Sequence, residues 1–212
     1  MRGSTPFDQG VGRYEAWFED HRNAYEAEVR AVRELMPATG DSVEIGVGTG
    51  RFAVPLRVPL GLDPSPSMLR VARNRGVEGV MGIGENLPFP DASFDTALMV
   101  TTVCFLADVH RAFQEVRRIL RREGRFVMGL VDKTSPLGRA YMERREESEF
   151  YRVATFYSVE EIVALSREVG FDEFDFRQTL FGSPRATPAP QRVKDGYGVG
   201  SFVVIRASVS GG

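Results

Sequence analysis

Residues 43–50 of this 212-residue chain have the sequence Val43-Glu44-Ile45-Gly46-Val47-Gly48-Thr49-Gly50. A short apolar strand that runs into glycines at alternate positions indicates a tight turn close to a ligand, because glycine has no Cβ to collide with it. A helix predicted to begin near Gly50 directs its N-terminal amides toward the same place. Asp63, at the end of the next apolar run, is placed to accept hydrogen bonds from a ribose diol. The pattern predicts a site for a nucleoside cofactor.

Short apolar runs alternate with amphipathic stretches along the chain. Seven strands are predicted, at residues 42–45, 58–62, 77–81, 94–100, 124–131, 171–181 and 201–207. Ser65 followed by Pro66 is a strong signal for the start of a helix. Ser158 and Glu161 have the spacing of a capping box, and residues 109–121 carry one apolar stripe at helical spacing. Repeated alternation of strands and helices predicts right-handed crossovers and a mainly parallel sheet.

The two ends of the chain depart from that alternation. Residues 14–36 have apolar side chains at helical spacing and are predicted as one helix, which Pro37 and Gly40 end. Residues 137–150 are predicted as a charged, helix-like insert. Residues 182–200, which join the last two predicted strands, are rich in proline and glycine and lack a helical period. Because parallel strands need a longer crossover that normally contains a helix, these two strands are expected to form an antiparallel hairpin.

Composition narrows the class of protein. The formal net charge of −2 at pH 7 gives no electrostatic footprint for nucleic acid or for an anionic membrane. Cys104 is the single cysteine, so an internal disulfide and a multi-cysteine metal site are both excluded, and no metal is expected. No apolar run approaches transmembrane length and no signal peptide is recognised, so a cytoplasmic protein without membrane insertion is expected. The oligomeric state is not indicated.

Four motifs occur in a fixed order along the chain. They are the glycine run 44–50, Gly61-Leu62-Asp63-Pro64-Ser65, Glu85-Asn86-Leu87-Pro88-Phe89-Pro90-Asp91-Ala92-Ser93-Phe94-Asp95, and Leu120-Arg121-Arg122-Glu123-Gly124-Arg125. In this order and spacing they resemble the class I S-adenosylmethionine-dependent methyltransferases, in particular the small-molecule branch that includes ubiquinone and menaquinone biosynthesis enzymes. The resemblance covers residues 7–207.

The resemblance implies a fold and an activity. The expected fold is α/β, a Rossmann-like three-layer sandwich with a mostly parallel seven-stranded sheet ending in an antiparallel hairpin. One domain is expected over residues 1–212: a helical lid at about 7–36, a cofactor-binding core at 40–131, and an acceptor-side insert with the hairpin at 132–212. The implied cofactor is S-adenosylmethionine, and the implied reaction moves its methyl group by in-line displacement to a small-molecule acceptor.

The resemblance also assigns cofactor contacts to individual residues. Glu44 corresponds to the acidic residue that helps hold the amino group of the cofactor, and Asp63 to the residue that takes both ribose hydroxyls. A loop cap for Glu44, and a cap of the Ser65–Pro66 helix for Asp63, remain as alternatives. Many relatives carry an aspartate where Ile83 stands, so apolar contact, a backbone amide or Glu85 would hold the adenine. The predicted cofactor residues are Glu44, Gly46, Gly48, Gly50, Asp63, Pro64, Ile83, Gly84, Glu85 and Thr101.

The residues that line the acceptor pocket are predicted from their positions in the sequence. Tyr14, Trp17 and Phe18 are expected to cover the cofactor and to line the acceptor pocket, or alternatively to be only the apolar face of a packed helix. His21, beside them, is the candidate general base. The variable segments 137–151 and 182–200 are expected to shape the acceptor pocket.

Two other functions stay open at this stage. A nicotinamide-dependent oxidoreductase is disfavoured because the glycine run does not fit the G-x-G-x-x-G spacing. A protein that binds S-adenosylmethionine without catalysis remains an alternative, because Ile83 stands where many relatives carry an aspartate.

Overall fold

The computed structural model describes residues 6–182 and 191–210. The described residues form eight α-helices, α1 (Pro6–Gln9), α2 (Val11–Asp20), α3 (Arg22–Leu35), α4 (Ala53–Leu56), α5 (Pro66–Asn74), α6 (Val109–Ile119), α7 (Pro136–Glu143) and α8 (Val159–Glu168). They also form eight strands, β1 (Ser42–Ile45), β2 (Leu60–Asp63), β3 (Glu78–Met81), β4 (Phe94–Val100), β5 (Leu120–Val131), β6 (Phe171–Thr179), β7 (Lys194–Asp195) and β8 (Phe202–Val209). Short 3₁₀-helices lie at Val103–Phe105, Arg145–Glu147 and Tyr151–Val153.

All eight strands belong to one sheet with the order β3-β2-β1-β4-β5-β8-β6-β7. Strands β1 to β5 pair with one another in parallel. Strand β8 is antiparallel to β5, and β6 is antiparallel to β8, so the predicted terminal hairpin is confirmed. The predicted count of seven strands is one short, because β7 pairs with the edge of β6. A two-residue strand is too short to show an alternating pattern.

Helices cover both faces of the sheet, which confirms the predicted three layers. On one face, α6 and α8 bury apolar side chains together with Phe126 of β5. On the other face, α3, α4 and α5 pack in a second cluster that includes Val127 of the same strand. Neighbouring residues of β5 therefore point to opposite faces and are both fully buried, as expected for a strand covered on both sides.

The N-terminal segment differs from its prediction as a single helix. It is divided into α2 and α3 at His21, which has φ −121° and ψ 35°. The hydrogen-bond ladder continues across the break, because the amide of His21 donates to Trp17 O at 2.9 Å and the amide of Tyr25 donates to His21 O at 3.0 Å. Apolar spacing runs through the break since both helices bury one face, so periodicity alone does not reveal it.

The predicted helix starts are confirmed. The hydroxyl of Ser65 accepts a hydrogen bond from Met68 N at the start of α5. At α8 both halves of the capping box between Ser158 and Glu161 are present. The helix after the glycine run is short, because α4 has four residues and Arg57 ends it in the left-handed conformation at φ 60°. Within the described part of the chain no helix is long and apolar enough to cross a membrane.

Candidate active site

The order of the strands reverses beside β1. The chain proceeds outward from β1 to β2 and β3 and then returns to β4 on the other side of β1. Ligands of open α/β sheets bind beyond the carboxyl ends of the strands at such a reversal. A cavity of about 460 Å³ opens there, which is within the usual range for small-molecule sites.

Most of the predicted site residues lie around this cavity. The lining includes Tyr14, Trp17, Phe18, Gly46, Gly48, Asp63, Pro64, Ile83, Gly84, Glu85 and Thr101. Three predicted residues, Glu44, Gly50 and His21, are not among the residues that line it. Gly50 is buried, and a Cβ at its position would lie 3.3 Å from Val77 Cγ2, so this glycine packs against the body of the domain.

The glycine loop after β1 is held close to β2. The amides of Gly46 and Val47 both donate to Leu62 O, at 2.7 and 3.0 Å. Gly46 has φ 75°, and a Cβ there would overlap the side chain of Thr102. Thr102 in turn donates from Oγ1 to Val100 O at 3.0 Å. Thr102 lines the cavity and was missed by the prediction, although a second hydroxyl after Thr101 at the end of a strand is a signal for it.

Asp63 is buried where the loop meets the cavity, with 8% of its surface exposed. Its Oδ2 accepts from Gly48 N at 2.9 Å, and its Oδ1 accepts from Ser65 N at 2.9 Å. Burial raises the pKa of Asp63 to about 6, against the lowering effect of the two amide hydrogen bonds. A carboxylate has about four acceptor sites, so each oxygen retains capacity for a further donor. Binding of a diol and support of the Ser65 turn are therefore compatible.

Glu44 is buried beneath the glycine loop, with 1% of its surface exposed. One carboxylate oxygen accepts a hydrogen bond from the backbone of Ala53, which is the loop-capping role held open above. Its Oε2 has no hydrogen-bond partner among the described residues. Burial raises the pKa of Glu44 well above its ordinary value, and the charge of Asp63 raises it further. A buried carboxylate oxygen without a partner is costly unless a donor reaches it.

The opposite end of the cavity is formed by the turn after β3 and by the segment before α6. Gly84 packs closely here, because a Cβ at its position would lie 2.8 Å from Leu106 Cδ2. Glu85 Oε1 accepts from the amides of Ala107 and Asp108, at 2.7 and 3.3 Å, and so holds the start of α6. Ile83 and Leu106 give this end an apolar wall.

Comparisons with known proteins agree with this geometry. The methyltransferase domain family matches residues 43–128. An S-adenosylmethionine-dependent methyltransferase of Thermotoga maritima, described as a possible histamine N-methyltransferase, is 50% identical. Its structure superposes with a TM-score of 0.95, covering 97% of this chain and 99% of that one. The chain belongs to the S-adenosylmethionine-dependent methyltransferases. Its cofactor is S-adenosylmethionine.

Two sequence relatives extend the comparison. An uncharacterized protein of Methanocaldococcus jannaschii is 37% identical over 201 residues, which are 95% of this chain and 97% of the relative. A demethylmenaquinone methyltransferase of Thermotoga maritima is 36% identical over 99 residues, which are 46% of this chain and 42% of that enzyme.

The residues of the methyltransferase fit its cofactor. The glycine loop lies close under α2, since a Cβ at Gly48 would lie only 3.1 Å from the hydroxyl of Tyr14. The free Oε2 of Glu44 suits a cationic amino group, and the buried carboxylate of Asp63 suits two hydroxyl donors. Ile83 and Gly84 provide an apolar slot for a flat ring. We propose these contacts for S-adenosylmethionine.

A polar network attaches helix α2 to this site. Glu15 accepts hydrogen bonds from Thr49 Oγ1 at 2.5 Å, from Arg51 Nη2 at 2.5 Å and from Arg75 Nη1 at 3.0 Å. Burial raises the pKa of Glu15, but the hydrogen bonds from Arg75, Arg51 and Thr49 outweigh it and lower the pKa to about 2. The network joins α2, the glycine loop and the end of α5. It was not predicted, because its partners are far apart in sequence.

Replacement of Glu15 by glutamine is expected to weaken binding of S-adenosylmethionine about tenfold, because charge-assisted hydrogen bonds are worth about 1.5–3 kcal/mol. The loss should appear in calorimetry, together with faster hydrogen exchange in α2. Glu19→Gln is the matched control, since Glu19 lies on the same helix and reaches Arg51 from an exposed position. Equal affinities of the two variants would contradict a role for the network in holding α2 over the site.

The remaining part of the cavity is aromatic. The insert predicted at 137–151 contributes Tyr141, Phe150 and Tyr151 to the lining. The rings of Tyr141 and Tyr151 are stacked with centroids 4.6 Å apart, and Phe150 stacks on Phe7 at 5.0 Å. Of the other variable segment, 182–200, residues 183–190 lie outside the described residues, and the described remainder does not line the cavity.

Three further side chains carry groups capable of proton transfer or nucleophilic attack. His21 Nδ1 is hydrogen-bonded to Trp17 O at 2.9 Å and its ring stacks on the indole at 4.8 Å, so the histidine is attached to α2 outside the cavity lining. Cys104 lines the cavity, and burial raises the pKa of its thiol to about 12. Glu28 of α3 also lines the cavity, and burial raises its pKa to about 8. The prediction missed Glu28, although a charged residue on the buried face of a helix is a signal.

Proposed function

We propose that this methyltransferase transfers a methyl group to a small molecule held in the aromatic part of the cavity. The observation that supports this most strongly is the continuity of the cavity, which is lined by the predicted cofactor residues and by the rings of the 137–151 insert. Two relatives are described as enzymes of small molecules, one of them as a possible histamine N-methyltransferase. A net charge of −2 does not favour a nucleic-acid acceptor.

The reaction that we propose depends mainly on the alignment of its two reactants. When bound, S-adenosylmethionine supplies a methyl group on a sulfonium that is already activated for in-line displacement. Correct positioning of two reactants contributes about 7–11 kcal/mol to lowering the barrier. Glu44, the glycine loop and Asp63 would hold the donor end, and Tyr14 and Phe18 of α2 would exclude water above it. The proposed role of residues 7–36 as a lid follows from this placement.

The test is binding followed by transfer. Calorimetry with S-adenosylmethionine, S-adenosylhomocysteine and NADH is expected to show binding of the first two only. A radiolabelled methyl group should then be transferred to at least one member of a panel of small amines, phenols, acids and quinols, as detected by mass spectrometry of the product. Cofactor binding without transfer to any member would support the alternative of a protein that binds S-adenosylmethionine without catalysis.

A further inference from the structure

Glu28 is a carboxylic acid side chain without a partner among the residues that the structure describes. It lies on the buried face of α3 with 4% of its surface exposed, and it lines the cavity. Over residues 6–182 and 191–210 no hydrogen bond or ion pair to this side chain is found. A buried carboxyl group that faces a cavity and has no partner is expensive to keep unless a ligand completes it.

The charges around the cavity favour a cationic ligand. Its charged lining residues, within the described ranges, are Glu28, Asp63, Glu85 and Arg13. Arg13 is paired with Glu149, and Glu85 holds the start of α6. Asp63 is assigned to the ribose. Glu28 is therefore the acidic group that remains for an acceptor.

Aromatic rings and an uncharged thiol line the cavity together with Glu28. Tyr151 lines the same cavity as Glu28, and Tyr141 is stacked on Tyr151. Cys104, after β4, also acts on Tyr151 and lines the same space. All three groups are neutral at pH 7, and aromatic faces attract cations.

We propose that Glu28 binds the nitrogen of an amine acceptor, with the rings of the 137–151 insert around the cation, so that the methyl acceptor is a small amine. This inference rests on the proposed function, because it names the acceptor of that reaction. The carboxylate then takes a proton from the bound ammonium group: an N–H bond breaks, an O–H bond forms, and the electron pair stays on the nitrogen. A carboxyl group whose pKa burial has raised to about 8 is a suitable base near neutral pH.

The experiment uses the full chain saturated with S-adenosylhomocysteine and four probes of similar size: phenethylamine, histamine, 2-phenylethanol and 3-phenylpropionate. At least one amine is expected to bind, and the alcohol and the acid are not. At pH 7 an empty site with a protonated Glu28 should release about one proton when the ammonium binds. Calorimetry in two buffers of different ionisation enthalpy measures that release.

Glu28→Gln preserves size and removes the charge. It is expected to lower amine affinity at least 30-fold, to abolish proton release, and to lower kcat/KM for amine methylation at least 100-fold, with an unchanged Kd for S-adenosylmethionine. The matched control is Glu26→Gln, two residues away on the same helix, where the glutamate is partly exposed and paired with Arg22. The control should behave as the wild type.

A second measurement keeps the inference testable if Glu28→Gln does not fold. The carboxyl carbon of Glu28 in ¹³C-labelled wild type is expected to show a protonated carboxyl at pH 7 and an ionised one after amine binding. The inference is overturned if no amine binds the saturated protein, if the alcohol binds as well as the amines, or if Glu28→Gln keeps full amine affinity. Proton-linked amine binding without methyl transfer would instead refute the proposed function and leave the Glu28 site standing.

Discussion

Replacement of Asp63 by alanine is expected to weaken S-adenosylmethionine binding at least about 100-fold while the chain stays folded. Two charge-assisted hydrogen bonds from the ribose would be lost, at about 1.5–3 kcal/mol each. The variant also removes the acceptor of the Gly48 amide, so the glycine loop loses one of its anchors. Calorimetry measures the affinity, and circular dichroism checks the fold.

A conservative variant of Asp63 and a control variant test the same contact more specifically. Asp63→Asn keeps the size of the side chain and one acceptor oxygen, so an intermediate loss is expected. Asp172→Asn changes an exposed aspartate on β6 and should leave the affinity unchanged. An affinity of Asp63→Ala within threefold of the wild type would mean that the ribose is bound elsewhere.

The pH dependence of cofactor binding is an independent test of Asp63 as the ribose ligand. Burial raises the pKa of Asp63 to about 6, so the carboxylate is mostly ionised at pH 7. The ionised form is the one that accepts from both hydroxyls, so wild-type affinity should fall as the pH is lowered through 6. Asp63→Asn has no such titration, and its affinity should vary less over pH 5–7. Parallel pH profiles of the two proteins would argue against Asp63 as the ribose ligand.

Replacement of Gly48 by valine is expected to abolish detectable cofactor binding. Gly48 has φ 52°, and a Cβ there would lie 3.1 Å from the hydroxyl of Tyr14, so a branched side chain would extend into the narrow space under α2. The left-handed backbone adds about 1–2 kcal/mol of strain for a non-glycine residue, so a lower melting temperature is also expected. Thermal melts with and without S-adenosylmethionine separate the two effects.

Gly12→Val is the matched control for this change. Gly12 lies on α2, and a Cβ at its position meets nothing within 4 Å. This variant should keep the ligand-induced rise in melting temperature, which Gly48→Val should lose. If Gly48→Val still shows that rise, the cofactor does not pass over the glycine loop.

The parts of the fold that were predicted well are those that local sequence encodes. Strands β1 and β4 begin and end where they were predicted, because each is an apolar run bounded by turn residues. Strand β5 begins four residues earlier than the predicted 124, since Leu120 pairs with Phe94 before the chain turns at Glu123 with φ 62°. Pairing with a partner strand does not leave a local signal.

The residues of the candidate site also divide into those that a local motif predicts and those that were missed. Gly46, Gly48 and Asp63 follow directly from a motif, and the structure places all three around the cavity. Glu15 was missed because its partners are far apart in sequence. Glu28 and Thr102 were missed although the sequence carries a signal for each, since only the folded chain shows that both line the cavity. Gly50 and Glu44 were predicted as cofactor contacts, and the structure places them behind the loop, where their contacts with the cofactor remain a proposal.

Local pattern was therefore sufficient for the class of fold, the position of the glycine loop and a site for a nucleoside cofactor, whereas the resemblance to a known family implied S-adenosylmethionine. These features depend on residues within one strand, one turn or one cap, where backbone geometry follows from nearby side chains. Tertiary structure determined the break at His21, the attachment of α2 through Glu15, and the placement of Glu28 and the aromatic insert around one cavity. Those features depend on which elements the crossovers bring together, and burial then changes the chemistry of each group, as the raised pKa of Glu28 shows.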